Sequence, residues 1–465
     1  MRLALVALLT AALLLPSVAS ATEPNRLPRF AGPAPEAIGA SPEPAGLDEL
    51  YWRPGPVPLE AFWRRMADLT HMRAFERVAP LSAEHRGDRL FGVNNALAAG
   101  DAAAPLMRGV GATWDRVELR WDEVEPEPGE YRFDQLDRLF ENARRWDLAV
   151  VAVLVGAPRW AVDHPDRAGA GPPSDWPAWE RFVSVVADRY RDQVAAWEVW
   201  NEPNIPEFWR GSTADYARLL RTAYPALKRA APSSTVLVGG LVQDDGAWLR
   251  RLLSEEPPFD AVAWHVYNDP REVTRLAALT KQLGVATPIW VTEANVPLRD
   301  PDRGFGMLAG TDAVTPGEQA AFVLQLFALS RAAGVETAMV YRATDVGGHH
   351  WGLVREDMTI RPSFLAYRTA ARWLSGTRFV AAREPVPGVT EVELARPGER
   401  VRVLWSDLTR ETEVALPADG GLLVYSSGAS VPLRSGRVAV PAAQPAGPYA
   451  VRLGEPVIAV VPEGS

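Results

Sequence analysis

Two glutamates, Glu202 and Glu293, lie in sequence contexts that suit acid–base chemistry. Glu202 follows the apolar run 194–200 within an Asn-Glu-Pro motif, and Glu293 follows the apolar run 288–292 within a Thr-Glu motif. Each run predicts a buried parallel strand, so each carboxylate is expected where a strand leaves the core. Two carboxylates at strand ends can cleave a sugar acetal, because one donates a proton while the other meets the cationic carbon.

The composition narrows the class of ligand and of site. The 465 residues carry a formal net charge of −9 at pH 7, which argues against nucleic acid and mildly against strongly anionic polysaccharides. The hydrophobic content of 47% is ample for a large core. Absence of cysteine excludes disulfides and thiolate metal sites. The adjacent pair His349 and His350 lacks the spacing of metal ligands, so no metal is expected.

The N-terminal residues predict export. A charged start at Arg2, an apolar run over 3–15 and small residues at 19–21 indicate a secretory signal peptide over residues 1–21. The apolar run is too short to span a bilayer comfortably, and no later run approaches the required length. We therefore expect a secreted protein, extracellular or periplasmic, without a membrane span. Residues 22–88 hold a proline-rich leader and a helix-like segment over 59–78.

Residues 89–375 show eight apolar runs that alternate with helix-like stretches. The predicted strands are 90–93, 114–121, 148–156, 194–200, 235–240, 261–267, 288–292 and 337–341. By this count Glu202 follows the fourth strand and Glu293 the seventh. Eight strand-plus-helix units favour an α/β fold of the (β/α)8 TIM-barrel type over an open doubly wound sheet. No Gly-x-Gly-x-x-Gly follows the first strand, so a dinucleotide-binding fold is disfavoured and no cofactor is expected.

The pattern of apolar and polar residues changes after the last helix-like stretch. Residues 376–465 carry short alternating runs, such as 401–405 and 422–425, which are divided by proline and glycine. Helical periodicity is absent there. This pattern predicts a small C-terminal all-β domain of the sandwich type.

A further stretch, 116–131, connects these features to a known family. It contains Arg-x-Glu-x-Arg-Trp, then Glu-Pro, then Gly-Glu-Tyr. Together with Asn-Glu-Pro after the fourth strand and Thr-Glu after the seventh, it resembles clan A of the glycoside hydrolases. The resemblance is closest to family 39, which contains β-xylosidases, iduronidases and exopolysaccharide-cleaving enzymes. It covers most of residues 89–375.

The resemblance implies a role for each matching residue. Glu202 is expected to be the general acid/base and Glu293 the nucleophile. Asn201 is expected to bind the sugar 2-hydroxyl, a contact that strengthens in the transition state. His265 and Tyr267 match the clan's pair on the sixth strand, in which the tyrosine orients the nucleophile.

The arginine beside the nucleophile has two candidates. Arg120 matches the clan's strand-two arginine, whose fixed charge keeps the nucleophile ionised. Arg116 lies on the same strand face by period two and is the alternative. Structural roles compete with these assignments: Arg120 as a buried salt-bridge partner, His265 as a core histidine, and Glu198 with Glu202 as a structural pair.

Three aromatic residues complete the candidate binding site. Tyr341 stands at the eighth strand, where many clan members carry the tryptophan that forms the floor under the cleaved sugar. Tyrosine can still stack and hydrogen-bond there. Trp160 and Trp351 lie in loop-like sequence after strands, where stacking on sugar and filling of the core are comparable alternatives.

These inferences predict a secreted retaining glycoside hydrolase that cleaves O-glycosidic bonds of an oligosaccharide or polysaccharide through a two-glutamate double displacement. A transglycosylase or polysaccharide-processing protein would use the same carboxylates. A non-catalytic glycan-binding protein is the alternative from a different class. In all three cases the partner is a carbohydrate.

Overall fold

The computed structural model describes residues 80–298, 314–347, 349–416, 420–433, 436–443 and 452–463. The predicted signal peptide over 1–21, and the predicted leader and helix over 22–79, lie outside these residues. No helix within the described ranges has the length and apolar character that crossing a membrane requires.

Strands and helices alternate through the first part of the described chain. The strands are β1 (Phe91–Asn94), β2 (Trp114–Arg120), β3 (Ala149–Val155), β4 (Val194–Val199), β5 (Thr235–Val238), β6 (Leu241–Val242), β7 (Val262–Tyr267), β8 (Ile289–Asn295) and β9 (Thr337–Val340). The helices are α1 (Ala103–Gly109), α2 (Trp121–Val124), α3 (Asp134–Arg145), α4 (Trp176–Tyr190), α5 (Thr213–Ala230), α6 (Ala247–Ser254), α7 (Glu272–Gln282), α8 (Pro316–Ala333) and α9 (Pro362–Leu374).

The first nine strands form a single parallel sheet that closes into a barrel. Their order is β5-β4-β3-β2-β1-β9-β8-β7-β6. Strands β5 and β6 are two pieces of the fifth barrel strand, interrupted at Gly239 and Gly240. A parallel bridge between Leu237 and Ala261 joins β5 to the segment that enters β7. The predicted (β/α)8 barrel is therefore confirmed.

Alternating side chains of the strands fill the barrel interior in layers. The lower layer is an apolar cluster formed by Trp114, Val151, Ala196, Leu237, Ala261, Ala263, Trp290 and Met339. Two residues further along β2, β4 and β7 stand Arg116, Glu198 and His265, all buried. Inward-facing positions recur every second residue of a strand. The strands that form the apolar lower layer therefore also carry the charged groups of the layer above it.

Local sequence signals set the starts of the two longest helices. Helix α5 begins after a capping box in which Ser212 accepts from the backbone N–H of Asp215 and the Asp215 carboxylate accepts in return. Helix α8 begins after an equivalent box between Thr315 and Glu318. It ends at Gly334, whose φ of 75° is the left-handed conformation that glycine adopts without strain.

Strand β8 is longer than predicted. Its predicted end was at Thr292, whereas pairing with β7 continues as far as Asn295. Its pairing with β9 shifts register between Val291 and Ala294. Glu293 therefore lies inside the strand and projects into the barrel. Strand pairing fixes its backbone more firmly than a loop would.

The C-terminal domain consists of two antiparallel sheets. Its strands are β10 (Arg378–Val386), β11 (Val389–Arg396), β12 (Glu399–Ser406), β13 (Thr412–Ala415), β14 (Leu422–Tyr425), β15 (Ser430–Pro432), β16 (Arg437–Val440) and β17 (Val457–Pro462). Six of them form a sheet in the order β10-β11-β12-β17-β14-β15, while β13 pairs with β16.

The larger sheet is apolar on both faces. Val392 and Val403 on one face join the core cluster of the barrel helices. On the other face, Leu404 packs with Val414 and Val438 of the two-stranded sheet in a second core. Two sheets face each other across this second core, which confirms the predicted all-β sandwich.

Candidate active site

Arg116 is the centre of a buried polar cluster at the carboxyl end of the barrel strands. Its guanidinium donates two hydrogen bonds of 2.9 Å to the carboxylate of Glu198 and one of 2.6 Å to Oε1 of Glu293. It also donates to the side-chain oxygens of Asn201, at 2.8 Å, and Asn94, at 3.3 Å. Arg116 therefore links β1, β2, β4 and β8 through one planar group.

The same contacts keep Arg116 charged and orient Asn201. Burial alone would lower the pKa of Arg116, but the carboxylates of Glu198 and Glu293 outweigh burial and raise it. The Asn201 oxygen accepts from Arg116, so the Asn201 amide N–H groups are directed away from it and can donate to a ligand.

The expectation that Arg120 lies beside Glu293 is wrong. The Arg120 guanidinium instead donates to both carboxylate oxygens of Asp122, at 3.1 and 2.8 Å. Arg120 lies four residues beyond Arg116, which is about 13 Å further along an extended strand. Its side chain therefore starts at the rim of the barrel, above the layer that contains Glu293. Arg116, the alternative, occupies the predicted position.

Glu202 projects from a strained turn that follows β4. The backbone φ angles of Trp200 and Glu202 are 71° and 42°, a region that costs non-glycine residues about 1–3 kcal/mol. Packing holds the turn in place. The rings of Trp200 and Trp209 lie edge to face with centroids 5.1 Å apart, and Nε1 of Trp200 donates to the carbonyl of Phe208 at 2.7 Å. Oε1 of Glu202 lies 2.6 Å from Nδ1 of His265.

His265 lies between the two candidate catalytic carboxylates. Its Nδ1 is 2.6 Å from Glu202 and 3.5 Å from Oε2 of Glu293. The ring occupies space that Gly240 leaves open, since a Cβ at Gly240 would lie 2.0 Å from Nε2 of His265. The backbone N–H of Gly240 also donates to Glu198 at 2.8 Å. A side chain at position 240 would therefore disturb both groups.

Glu293 is held from two sides. Arg116 binds its Oε1, and the Tyr267 hydroxyl donates to its Oε2. One ligand atom each of Glu202, His265 and Glu293 lies within 4.8 Å of the others. The structure thus brings Glu202, Glu293, His265 and Tyr267 together in one cluster.

Glu202 and Glu293 are both buried, but different neighbours act on their pKa values. Burial raises the pKa of Glu202, and the charge of Glu293 raises it further against the opposing effect of His265. Burial also raises the pKa of Glu293, but Arg116 and the Tyr267 hydroxyl oppose this. Of these two carboxylates only Glu293 contacts Arg116, which favours the ionised form of Glu293.

Three aromatic rings form a wall beside this cluster. Tyr267, Tyr341 and Trp351 meet edge to face, with ring centroids 5.5–6.3 Å apart. The side-chain nitrogen of Asn295 donates to the carbonyls of Tyr341 and Trp351, which fixes this wall to the end of β8. Tyr341 and Trp351 thus lie next to a residue that binds Glu293.

Trp160 lies away from this wall. It is in the loop after β3, where its ring contacts Trp121 at 5.6 Å and its Nε1 donates to the Glu125 carbonyl at 3.2 Å. The side chain is half-buried, so part of the ring remains open to a ligand. Contact between Trp160 and sugar stays a prediction.

Three residues of the site were not predicted from the sequence as site residues. Asn94 and Asn295 were not singled out, and Glu198 was considered only as a structural partner of Glu202. In the structure Glu198 pairs with Arg116. Strand periodicity carried the signal for Glu198, because it lies two residues after an inward-facing alanine of β4.

The ligand atoms of Glu202, His265 and Glu293 are close enough to one another to hold a metal ion. The surrounding charges disfavour it. Arg116, a permanent cation, lies 2.6 Å from Glu293 and would repel a second cation there. The other carboxylate oxygen of Glu293, Oε2, already accepts a hydrogen bond from the Tyr267 hydroxyl. The donor set suits proton transfer better than metal binding.

Comparison with known proteins supports the same family. The model for glycosyl hydrolases family 39 matches residues 122–290. The resemblance to clan A, closest to family 39, is confirmed. A β-xylosidase from Caldicellulosiruptor saccharolyticus is 32% identical over 108 residues, which covers 21% of this chain and 22% of that protein. The match thus spans about a fifth of the relative's length.

Solved structures show the shared fold over a longer range. A family 39 glycoside hydrolase from Bacteroides cellulosilyticus WH2 superposes with a TM-score of 0.66 at 19% identity, covering 83% of both chains. A family 39 β-xylosidase from Caulobacter crescentus gives a TM-score of 0.57 at 15% identity, covering 82% of this chain and 97% of its own. The family model and these relatives all describe glycosyl hydrolases, in agreement with the predicted class of enzyme.

Proposed function

We propose that this protein is a retaining glycoside hydrolase in which Glu202 is the general acid/base and Glu293 the nucleophile. One observation carries the proposal: the buried carboxylates of Glu202 and Glu293 have oxygens within 4.8 Å of each other, and of the two only Glu293 contacts Arg116. Carboxyl groups about 5–5.5 Å apart suit a retaining mechanism, whereas an inverting one needs about 6.5–9.5 Å to admit a water.

In the first step, Glu202 donates its proton to the glycosidic oxygen as the bond to the anomeric carbon breaks. Glu293 attacks that carbon from the opposite face and forms a covalent glycosyl-enzyme ester. The Asn201 amide is directed to donate to the sugar hydroxyl beside the anomeric carbon. This hydrogen bond gains strength as positive charge develops on the ring.

In the second step, Glu202 acts as a base. It is now a carboxylate, and it takes a proton from a water molecule that attacks the anomeric carbon. The ester bond breaks, Glu293 leaves as a carboxylate, and Glu202 regains its proton. Arg116 and Tyr267 stabilise the departing carboxylate, because they bind its two oxygens. Two displacements at one carbon retain its configuration.

Substrate class is proposed from the relatives. Matched proteins include β-xylosidases and a β-galactosidase, so aryl β-xylosides and β-galactosides are the first substrates to test. Proton NMR of the first product decides the mechanism, since a retaining enzyme releases the β-anomer before mutarotation. Release of the α-anomer first would exclude Glu293 as nucleophile.

We also propose that the protein is exported, with cleavage after Ala21. The support is the charged, apolar and small-residue succession at the N-terminus. The N-terminal sequence of the mature protein, collected from the medium or periplasm of a bacterial host, should begin at Thr22. A product that keeps Met1 and stays in the cytoplasm would contradict export.

A further inference from the structure

Glu118 is an inward-facing carboxylate of β2 that the mechanism above does not use. Arg116, Glu118 and Arg120 share one face of the strand because inward positions recur every second residue. The intervening residues Val117 and Leu119 are 1% and 0% exposed against the helices. In contrast, the Glu118 side chain is 34% exposed, so it projects into the open mouth of the barrel.

The Glu118 carboxylate has unused capacity for hydrogen bonds. Among the described residues, its nearest cation is Nη1 of Arg120 at 3.6 Å, and no protein group donates a hydrogen bond to it. An ionised carboxylate can accept about four hydrogen bonds. A partly shielded acceptor without donors, one layer above the Arg116 cluster, is suited to receive hydroxyl groups from a ligand.

The position of Glu118 relates it to the sugar beside the scissile bond. It lies one inward position, about 7 Å along the strand, above Arg116, which binds Glu293. Burial is the largest cause of the raised pKa values of Glu293 and Tyr341, and the negative charge of Glu118 adds to both. Glu118 is therefore within electrostatic reach of the nucleophile candidate and of the aromatic wall.

The rim around Glu118 is acidic. Arg120 lies within 4 Å of three carboxylates, with distances of 3.6 Å to Glu118, 2.8 Å to Asp122 and 3.4 Å to Glu123. Three negative charges around one positive charge leave a negative excess. A sugar carboxylate or sulfate bound there would be repelled, whereas a neutral polyol would find an acceptor.

We propose that Glu118 is a specificity-determining residue: it accepts hydrogen bonds from hydroxyls of the sugar bound beside Glu293 and, with the acidic rim, excludes anionic sugars. This inference rests on the proposed glycosidase function and adds a substrate class to it, glycosides of neutral sugars with free hydroxyls. The carboxylate acts by binding, and it takes no proton from the substrate.

The test compares Glu118→Ala and Glu118→Gln with Glu180→Gln, a control for the same type of substitution at an exposed position of helix α4, outside the acidic rim. With a neutral aryl glycoside, Glu118→Ala should lower kcat/KM about 10- to 100-fold, the range expected for hydrogen bonds to a charged group. Glu118→Gln should improve the ratio of aryl uronide to neutral glycoside turnover at least about 10-fold. The control should change kcat/KM by less than about 2-fold.

Monodeoxy glycosides separate binding from a structural effect. If Glu118 binds a particular sugar hydroxyl, a substrate that lacks this hydroxyl should lose little when Glu118 is truncated. On that substrate, Glu118→Ala should lower kcat/KM by less than about 3-fold. An equal loss on every deoxy substrate, or no loss on the parent glycoside, would overturn the inference.

Sugar binding followed by ligand-observed NMR keeps this test independent of turnover. If the wild type binds methyl β-xyloside or methyl β-galactoside without hydrolysing any glycoside, the proposed function fails. Weaker binding by Glu118→Ala would then still support the inference, and unchanged binding would overturn it. A wild type that neither binds nor hydrolyses these sugars would overturn both.

Discussion

Replacement of Arg116 by alanine tests most directly whether this cation keeps Glu293 ionised and stabilises the fold. The side chain is 4% exposed and is the cation that contacts both Glu198 and Glu293. Its removal leaves two buried carboxylates without a counter-charge. We therefore expect two separate effects: lower stability of the fold, and protonation of Glu293 at pH values where the wild-type residue is ionised.

The size of both effects follows from the burial of the pair. Breaking a buried ion pair costs about 3–5 kcal/mol, because the remaining charge lacks both partner and solvent. One pKa unit corresponds to about 1.36 kcal/mol. Since Arg116 serves two carboxylates, we assign about half of that cost to Glu293, which raises its pKa by about 1–2 units.

The assay is the pH dependence of kcat/KM on an activated aryl glycoside. Its acidic limb reports the ionisation of the nucleophile in the free enzyme. Because the pKa of Glu293 rises, the limb should move to higher pH by about 1–2 units, and activity should be lost first at low pH. Chemical denaturation at neutral pH should show a loss of about 3–5 kcal/mol in unfolding free energy.

Two further variants make this prediction refutable. Arg116→Lys keeps a cation but loses the planar fork, so it should fold and show a smaller shift of the acidic limb. Arg120→Ala is the matched control on the same strand, and its acidic limb should stay within about 0.3 units of the wild type, because Arg120 contacts Asp122, Glu118 and Glu123 and does not contact Glu293. An unmoved limb in both Arg116 variants, or a shift in Arg120→Ala, would refute the reasoning.

Three more outcomes are expected from single substitutions. Glu202→Ala should lose most activity on poor leaving groups but keep more on activated aryl glycosides, and azide should restore turnover; equal loss without azide rescue would contradict the acid/base role. Tyr267→Phe should lower kcat about 10- to 100-fold and move the acidic limb to higher pH, since Glu293 loses a hydrogen bond to its charged form. Gly240→Ala should reduce activity and thermal stability together, because the new Cβ would overlap the His265 ring; an unchanged melting temperature and kcat would show that the ring has room to move.

Strand periodicity was sufficient to predict the barrel, because parallel strands buried on both faces appear as dense apolar runs. The Asn-Glu-Pro and Thr-Glu motifs predicted that Glu202 and Glu293 share one end of that barrel. The capping box at Thr315 and Glu318 is a local signal of the same kind, and α8 begins directly after it. These features depend on neighbours in sequence, so the sequence alone determines them.

Other features depend on distances between strands, and only the tertiary structure decided them. Arg116 and Arg120 share a strand face, so periodicity could not show which of them contacts Glu293. The structure shows that Arg116 lies in the same layer of the barrel as Glu293. The partner of Glu198 was likewise undetermined, because Arg116 reaches it from another strand. Side chains that meet across a closed barrel are far apart in sequence, and their pairing exists only once the strands have a common register.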